Sequence, residues 1–210
     1  MKKLLLSVLC ALTSVLLSTF ANANVDNALV KKAEDYLNSI TGIAGDFSQV
    51  ANGKTAGGTF SMLRPGRVRL DYAKSPIQLI SDGKDLYFFD KSLDQITTVP
   101  LTSTPAGILV RKNINLRTAD IVVTDTSTNT DTNTFALKMH IKDSEGLGNM
   151  VVVFDQSPVA LRAWTVTDAT GAKTDVSFSN MKTKTDFGKN FFQIQRHKTV
   201  STSGGDSYYD

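Results

Sequence analysis

Apolar and charged residues separate onto two helical faces in residues 26–40, DNALVKKAEDYLNSI. The apolar face consists of Leu29, Ala33, Leu37 and Ile40, and the charged face consists of Lys31, Lys32, Glu34 and Asp35. Either Asn24 or Asp26 could cap the start of such a helix, because short polar side chains satisfy the free N–H groups there. The pattern predicts an amphipathic helix that packs on an apolar surface.

From residue 43 onward, the apolar positions alternate with polar ones, which is the period of a β-strand. The predicted strands are 43–50, 56–63, 66–72, 77–81, 85–90, 94–99, 121–124, 135–141, 150–154, 161–167 and 174–178, with a last short one at 191–195. Residues 125–134 are expected to form a polar hairpin tip or loop. Short turns such as SDGKD connect the strands without intervening helices. The fold class is therefore mainly β (α+β), with an antiparallel sheet of about 11 strands.

The segment TSTPAGILVRKN at 102–113 separates the two groups of strands. Thr104 followed by Pro105 is typical of a helix start, and the helix that they open is short and apolar. A sheet of this length curls, and a nearly closed one encloses more space than its own side chains fill. We therefore expect an unclosed barrel whose two helices act as a plug or lid, an arrangement suited to holding a ligand.

The N-terminal segment has the pattern of a secretory signal peptide. It has a positive start at residues 1–3, an apolar run at 4–20 and the small-residue cleavage pattern Ala21-Asn22-Ala23. The alternative is a transmembrane anchor, but the apolar run is short for a full crossing. Residues 1–23 are predicted to be removed, which leaves a single domain at 24–210 with a polar tail from about residue 199.

Cysteine content and charge narrow the range of functions. The only cysteine, Cys10, lies in the signal segment, so the exported chain would have no disulfide, thiol nucleophile or thiolate metal site. Removing the two positive charges of Lys2 and Lys3 lowers the formal net charge from +3 to +1. No basic patch with interleaved aromatic residues is present. We expect no metal, no cofactor and no nucleic-acid partner.

Motifs for catalysis are missing from the sequence. His140 and His197 have no second histidine or cysteine at motif spacing, and His140 is expected to be exposed on a strand. Gly57-Gly58 lacks the rest of a dinucleotide motif and is interpreted as a strand start or a bulge. Asp82, Asp85, Asp90 and Asp94 suit turns and strand ends. These patterns favour a binding protein over an enzyme.

One arginine falls on an apolar stripe in SMLRPGRVRLDY at 61–72. The stripe before the Pro-Gly break is Phe60, Met62 and Arg64, and the stripe after it is Val68, Leu70 and Tyr72. Arg67 and Arg69 fall on the opposite face, where solvent is expected. Two interpretations of Arg64 remain open. Its head group could reach water along an apolar stem, or its guanidinium could form hydrogen bonds beside the apolar surface.

Five blocks of sequence carry a resemblance to a known family. They are DFSQ (46–49), GTFSMLRPGRVRLDY (58–72), LISDGKDLYFFD (79–90), DQITTVPLTSTPAGILV (94–110) and LRAWTVTDATGAKTDVSFSN (161–180). In this order they resemble the outer-membrane lipoprotein carrier protein LolA family. The resemblance implies an unclosed antiparallel β-barrel with a helical lid, a location in the periplasm and no enzymatic activity.

The resemblance also implies a function and its partners. Such a chaperone takes acylated lipoproteins from an inner-membrane LolCDE-type ABC transporter and delivers them to an outer-membrane LolB-type receptor. A lipidation cysteine is absent, which favours the carrier over the receptor. We expect a monomer. The alternative on the same fold is a periplasmic lipid or glycolipid carrier, or a lipid-sensing module.

Site residues follow from the resemblance and from the strand pattern together. Arg64 matches the family's gate arginine, which hydrogen-bonds to lid carbonyls in the closed, empty form. The predicted lid residues are Pro105, Ile108 and Leu109. The predicted cavity residues are Leu37, Phe47, Phe60, Met62, Val68 and Leu70. For Phe47, Phe60 and Met62 an ordinary core position remains open, while Trp164 and Phe178 are expected to pack the body of the barrel. Ala106-Gly107 departs from the bulkier lid turn that the family can have.

Overall fold

The computed structural model describes residues 25–143, 146 and 148–195. The predicted signal segment, Asn24, His197 and the predicted tail lie outside these residues. The helix α1 spans Asn27–Ser39. The strands are β1 Gly42–Ala51, β2 Lys54–Leu63, β3 Arg67–Tyr72, β4 Ile77–Asp82, β5 Asp85–Asp90, β6 Gln95–Pro100, β7 Ile121–Asn129, β8 Thr134–Ile141, β9 Asn149–Gln156, β10 Val159–Thr167 and β11 Lys173–Thr183. Two 3₁₀ helices, Leu101–Ser103 and Pro105–Val110, lie between β6 and β7.

All of these strands form one antiparallel sheet in the order β6-β5-β4-β3-β2-β1-β11-β10-β9-β8-β7. Neighbours in the sheet are consecutive in the chain except at the β1–β11 pair, which joins two meanders. Within the described residues, β6 and β7 each pair with one strand only, so the barrel is not closed. The connection between these two edges, residues 101–120, carries the 3₁₀ helices. The predicted fold class is confirmed.

The helix α1 forms as the periodicity predicts. Asp26 is its N-cap, and Asp26 Oδ1 accepts a hydrogen bond from the Ala28 N–H at 2.8 Å. One prediction about its faces is wrong, because Glu34 is buried. The Glu34 carboxylate accepts hydrogen bonds from Leu116 N at 2.6 Å and from Arg117 Nη2 at 2.5 Å. The connection after the 3₁₀ helices packs along this side of α1 and covers a charge that helical spacing places in solvent.

The interior contains two apolar clusters. We name the first the plugged half, because α1 packs into it: Val30, Ala33, Leu37, Ile108, Leu109, Ile114, Leu116, Ile121, Phe135, Leu137, Met139, Met150, Val152, Phe154 and Leu161. We name the second the lidded half: Ile40, Ile43, Phe47, Phe60, Met62, Val68, Leu70, Leu86, Leu101, Val110 and Val176. The segment Pro105–Val110, called the lid below, contributes buried side chains to both halves.

Two strand predictions differ from the structure. Residues 191–195 form no strand, since they follow turns closed by Phe191 N to Gly188 O at 2.8 Å and Gln193 N to Asn190 O at 3.1 Å. This segment packs on the outer face of the sheet, where Arg69 donates to the Phe191 carbonyl oxygen at 2.7 Å and lies over the Phe191 ring. Arg69 is therefore half-buried, whereas Arg67 is exposed as predicted. The strand β7 also continues to Asn129, so the predicted polar hairpin tip at 125–134 is confined to residues 130–133.

Two smaller predictions also change. Gly57-Gly58 lies inside β2, which begins at Lys54. Gly58 pairs with Phe47 on one side and Tyr72 on the other, and a Cβ at Gly58 would overlap the Asp71 carbonyl group. The rings of Phe47 and Tyr72 meet edge-to-face over this glycine at 5.1 Å. His140 is half-buried on β8 rather than exposed.

Across the described parts of the chain, no helix combines the length and apolar character needed to cross a membrane.

Candidate functional site

An apolar cavity of about 40 Å³ lies under the lid. Its lining is Leu37, Phe60, Met62, Val68, Leu79, Leu86, Leu101, Leu109, Val110, Leu161 and Trp164. Phe60 and Met62 share one face of β2 because side chains two apart on a strand point the same way. A ligand pocket typically has a volume of about 300–1,000 Å³, so in this conformation the cavity is too small to hold a ligand of ordinary size.

A larger groove of about 460 Å³ lies at the other side of the lid. Its lining includes Pro65, Gly66, Gly83, Ile108 and Arg111, so it is more polar than the cavity. Leu101 and Val110 line both spaces. Leu101 and Val110 therefore lie between the apolar cavity and the groove.

The predicted site residues lie close together around this cavity. Leu37, Phe60, Met62, Val68 and Leu109 line it. Phe47 and Leu70 are buried in the lidded half without lining the cavity, and Ile108 is buried in the plugged half. Pro105 begins the second 3₁₀ helix, but its side chain lies outside the described part of the structure. The roles of these residues in binding stay predictions.

Several cavity residues escaped the sequence interpretation. Leu79 lies opposite Leu70 in the β3–β4 register, and Leu86 lies opposite Ser81, which pairs with Val68. Strand register would reveal these neighbours, but the pattern of a single strand does not. Trp164, expected only to pack the barrel body, lines the cavity as well as contacting Phe178 at 4.7 Å between ring centroids.

The lid is shaped by Thr104 and Gly107. Thr104 Oγ1 donates to the Leu101 carbonyl oxygen at 2.8 Å and accepts from the Gly107 N–H at 3.2 Å. A Cβ at Gly107 would overlap the Leu101 carbonyl oxygen. The departure at Ala106-Gly107 therefore has a packing reason, because glycine lets the lid approach the preceding turn. At its other end, the Val110 carbonyl oxygen accepts a hydrogen bond from Gly66 N at 2.7 Å.

Arg64 lies directly after β2 and is only 9% exposed. Its backbone N–H donates to the Thr41 carbonyl oxygen at 2.8 Å, whereas its Nε and Nη2 atoms have no hydrogen-bond partner. Burial lowers the pKa of Arg64 and raises the pKa of the neighbouring Tyr36, and the charge of Arg64 opposes this rise. The contact between guanidinium and lid carbonyls that the family predicts is not formed at Nε or Nη2. Arg64's loop instead reaches the lid through the Gly66 backbone, and the gate role stays a prediction.

Ionisable groups near the site do not gather into a metal centre. Within residues 25–143, 146 and 148–195, no group of three or more histidine, cysteine, aspartate or glutamate side chains is arranged to hold a metal ion. Glu34 is engaged with the Leu116 N–H and with Arg117, as described above. The site therefore offers apolar surface and a buried cation.

Proteins similar in sequence to this chain are named as lipoprotein carriers. A family model described as "Outer membrane lipoprotein carrier protein LolA" matches residues 38–195. An outer-membrane lipoprotein carrier protein of Neisseria meningitidis serogroup B is 27% identical over 191 residues, covering 87% of this chain and 90% of that protein. One of Methylococcus capsulatus is 28% identical over 178 residues, covering 78% of this chain and 81% of that protein.

A solved structure also resembles the chain. It is a LolA superfamily protein of Nitrosomonas europaea, with 13% identity, a TM-score of 0.41, and coverage of 80% of this chain and 98% of that one. A likeness of this size supports no statement about function. The match to the family model, which spans most of the chain, shows that this protein belongs to the LolA family of outer membrane lipoprotein carrier proteins.

Proposed function

We propose that this protein is a periplasmic chaperone that binds the acyl chains of lipoproteins and carries them from the inner membrane towards an outer-membrane receptor. The supporting observation is an apolar cavity closed by a six-residue lid that lies between the two edges of an unclosed sheet. Membership of a family named for lipoprotein carriers supports the choice of cargo. The proposed role consists of binding and release, with no chemical step.

Acyl chains explain why the interior is apolar and why it is covered. Each buried CH₂ contributes about 0.8 kcal/mol, so one chain of ordinary length is worth on the order of 10 kcal/mol. Unassisted release into water is then prohibitively slow. An apolar cavity that stayed open when empty would expose an apolar patch to solvent, and such patches favour nonspecific association. A lid that closes over the empty cavity removes this exposed surface.

Cargo entry requires the lid to move. The closed cavity of about 40 Å³ is too small for an acyl chain, but displacing the lid would join it to the groove of about 460 Å³. The joined space falls within the usual size of ligand pockets. The lid is a short 3₁₀ segment, and a backbone hydrogen bond from Gly66 holds its last carbonyl. We expect opening to be a two-state equilibrium that cargo shifts.

Arg64 and the partners belong to this proposal. Arg64 is the proposed gate residue because it is buried and its loop contacts the lid through the hydrogen bond from Gly66 N to the Val110 carbonyl oxygen. A LolCDE-type ABC transporter is the proposed donor of cargo, and a LolB-type receptor is the proposed acceptor. Both partners are carried over from the family resemblance, and the protein would act as a monomer.

A release assay tests the proposal. The purified protein is incubated with spheroplasts that display lipoproteins on their inner membrane, and lipidated proteins in the released fraction are identified by mass spectrometry. Wild type should release them. Leu70→Glu should not, because a carboxylate in the buried lidded half would lack a partner. Leu93→Glu, at a side chain 63% exposed in the turn after β5, is the matched control and should release cargo normally.

The same assay separates the alternatives. Thermal unfolding of both variants shows whether the Leu70 variant remains folded, and a titration with a fluorescent fatty acid shows whether its binding is lost. Recovery of free lipid or glycolipid instead of lipoprotein would favour the alternative lipid carrier. Absence of any lipid from the wild-type protein would contradict the proposed function.

A further inference from the structure

Two buried hydrogen-bond donors of Arg64 have no partner. Among the side chains that the structure describes, the only buried nitrogen or oxygen atoms without a hydrogen-bond partner are Nε and Nη2 of Arg64. Leaving a buried charged donor unpaired is costly, and folded proteins rarely tolerate it. An unpaired donor of this kind indicates a ligand or a water molecule that completes the site.

Arg64 lies close to residues that line the cavity. Arg64 follows Phe60 and Met62 at two-residue spacing, and both of these side chains line the cavity. Tyr36 lies beside Leu37, a third lining residue, and packs against both the plugged and the lidded half. The charge of Arg64 and the backbone of Leu161 both oppose the rise that burial causes in the pKa of Tyr36, so both groups lie near the Tyr36 phenol. Leu161 is again a lining residue.

A bulge in β10 begins at Leu161, close to the Tyr36 phenol. The β9–β10 register shifts between Leu161 and Ala163, which interrupts the regular ladder at that point. The guanidinium of Arg64 and the phenol of Tyr36 thus interact electrostatically near residues that line an otherwise apolar cavity. The edge of a guanidinium formed by Nε and Nη2 presents two parallel donors, which suit one or two closely spaced oxygen atoms.

We propose that Arg64, with Tyr36 beside it, is a binding site for the carbonyl oxygens through which acyl chains are attached to their cargo. This inference rests on the proposed function. An acyl chain is joined to glycerol or to an amine through an ester or amide, and its carbonyl oxygen loses water when the chain is buried. The unused donors of Arg64 replace that water. The apolar lining then contacts the hydrocarbon chain, and Arg64 binds the carbonyl group through which the chain is attached.

A comparison of two lipids tests this site. The probes are a lysophospholipid with an ester-linked chain and its ether-linked analogue, which has the same head group and chain length but lacks the carbonyl oxygen. Binding is measured by displacement of a fluorescent fatty acid. Wild type should bind the ester about tenfold more tightly or better, the range expected for a hydrogen bond to a charged group. In Arg64→Met this preference should fall to nearly one, and in Tyr36→Phe it should weaken.

Controls make the outcomes distinct. Arg67→Met removes a neighbouring exposed arginine on the opposite face of the sheet and should keep the preference. If Arg64→Met does not fold, Arg64→Lys keeps the charge but not the two parallel donors, and should lower the preference while remaining folded. Equal binding of ester and ether by wild type, or a preference that survives in Arg64→Met, overturns this inference alone. Failure of wild type to bind either lipid overturns the proposed function too.

Discussion

The plugged and lidded halves of the interior are covered in different ways. Over the plugged half lies α1, a 13-residue helix that buries Val30, Ala33 and Leu37 in one continuous stripe. Over the lidded half lies a six-residue 3₁₀ segment that also packs into the plugged half, and a cavity remains beneath it where the two halves meet. Short 3₁₀ segments have poorer hydrogen-bond geometry and gain less from cooperativity than an α-helix. We infer that one half supplies stability and the other supplies the ability to open.

The two covers are linked through the connection that follows the lid. Asn38 of α1 donates to the Ile114 carbonyl oxygen at 2.8 Å and accepts from the Ile114 N–H at 2.9 Å. One turn earlier, Glu34 accepts from the Leu116 N–H. The chain after the lid is thus fixed to the rigid helix by side-chain hydrogen bonds. This anchor gives the lid a fixed end about which it can move.

The largest expected effect compares two phenylalanines. Phe154 is fully buried in the plugged half, where it stacks on Phe135 at 5.0 Å between ring centroids. Phe154→Ala should lower the free energy of unfolding by about 3–5 kcal/mol. Phe60→Ala should cost less, because the lid can settle into the space beside an existing cavity. Urea denaturation measures both, with Phe88→Ala, 46% exposed, as a near-neutral control. Equal losses at Phe154 and Phe60 would contradict the contrast between the halves.

The anchor on α1 should have the next largest effect. Glu34→Ala leaves the buried Leu116 N–H without its partner, which should cost about 1–3 kcal/mol of unfolding free energy. Asp35→Ala is the matched control, since it removes only an exposed ion pair with Lys31 and should change stability by less than about 0.5 kcal/mol. Hydrogen exchange should also accelerate at Leu116 in the Glu34 variant. Unchanged exchange there would argue against an anchor.

A smaller effect on global stability is expected at the lid. Gly107→Ala places a methyl group against the Leu101 carbonyl oxygen, so the lid should no longer close fully. Because only a short segment moves, the free energy of unfolding should fall by about 1 kcal/mol or less. Binding of an apolar fluorescent dye should nevertheless increase. Gly188→Ala, where a Cβ meets no atom within 4 Å, should change neither quantity. Dye binding equal to wild type in Gly107→Ala would mean that the lid adapts.

The smallest effect concerns pH at the junction of lid and β7. Arg111, the residue after the lid, lies 2.7 Å from Asp120, and its hydrogen bond, with one from Thr118, lowers the pKa of Asp120 from 3.8 to about 2. Because the folded pKa is the lower one, the stabilisation is present above pH 3.8 and is lost as the pH falls towards 2. The pair is solvent-exposed, so its contribution should stay under about 1 kcal/mol.

Comparing wild type with Asp120→Asn across this range checks the assignment. The difference in unfolding free energy should be constant from pH 5 to 7, shrink below about pH 4 and disappear once the pH is below the folded pKa of about 2. A difference that persists below this pKa would show that the Asp120 side chain stabilises the junction by something other than its charge.

Local patterns in the chain were enough to predict most of the elements. The spacing of apolar residues predicted α1 and all of the strands observed, and residue type predicted the lid start at Thr104-Pro105. Residue type left the N-cap of α1 open between Asn24 and Asp26, and the structure has Asp26. Errors fell at element ends and at 191–195, where packing of Phe191 on Arg69 overrides strand propensity. Helical and strand periods depend on neighbours within a few residues, so a single sequence carries them.

Contacts between distant segments could not be predicted from these local patterns. The β1–β11 pairing, the burial of Glu34 beside Leu116, and the arrangement of Leu79 and Trp164 around the cavity depend on register and packing across many tens of residues. No local period records which strand lies next to which, or how far one slides along another. The unpaired donors of Arg64 belong to the same class, because whether a buried cation has a partner depends on every segment that surrounds it.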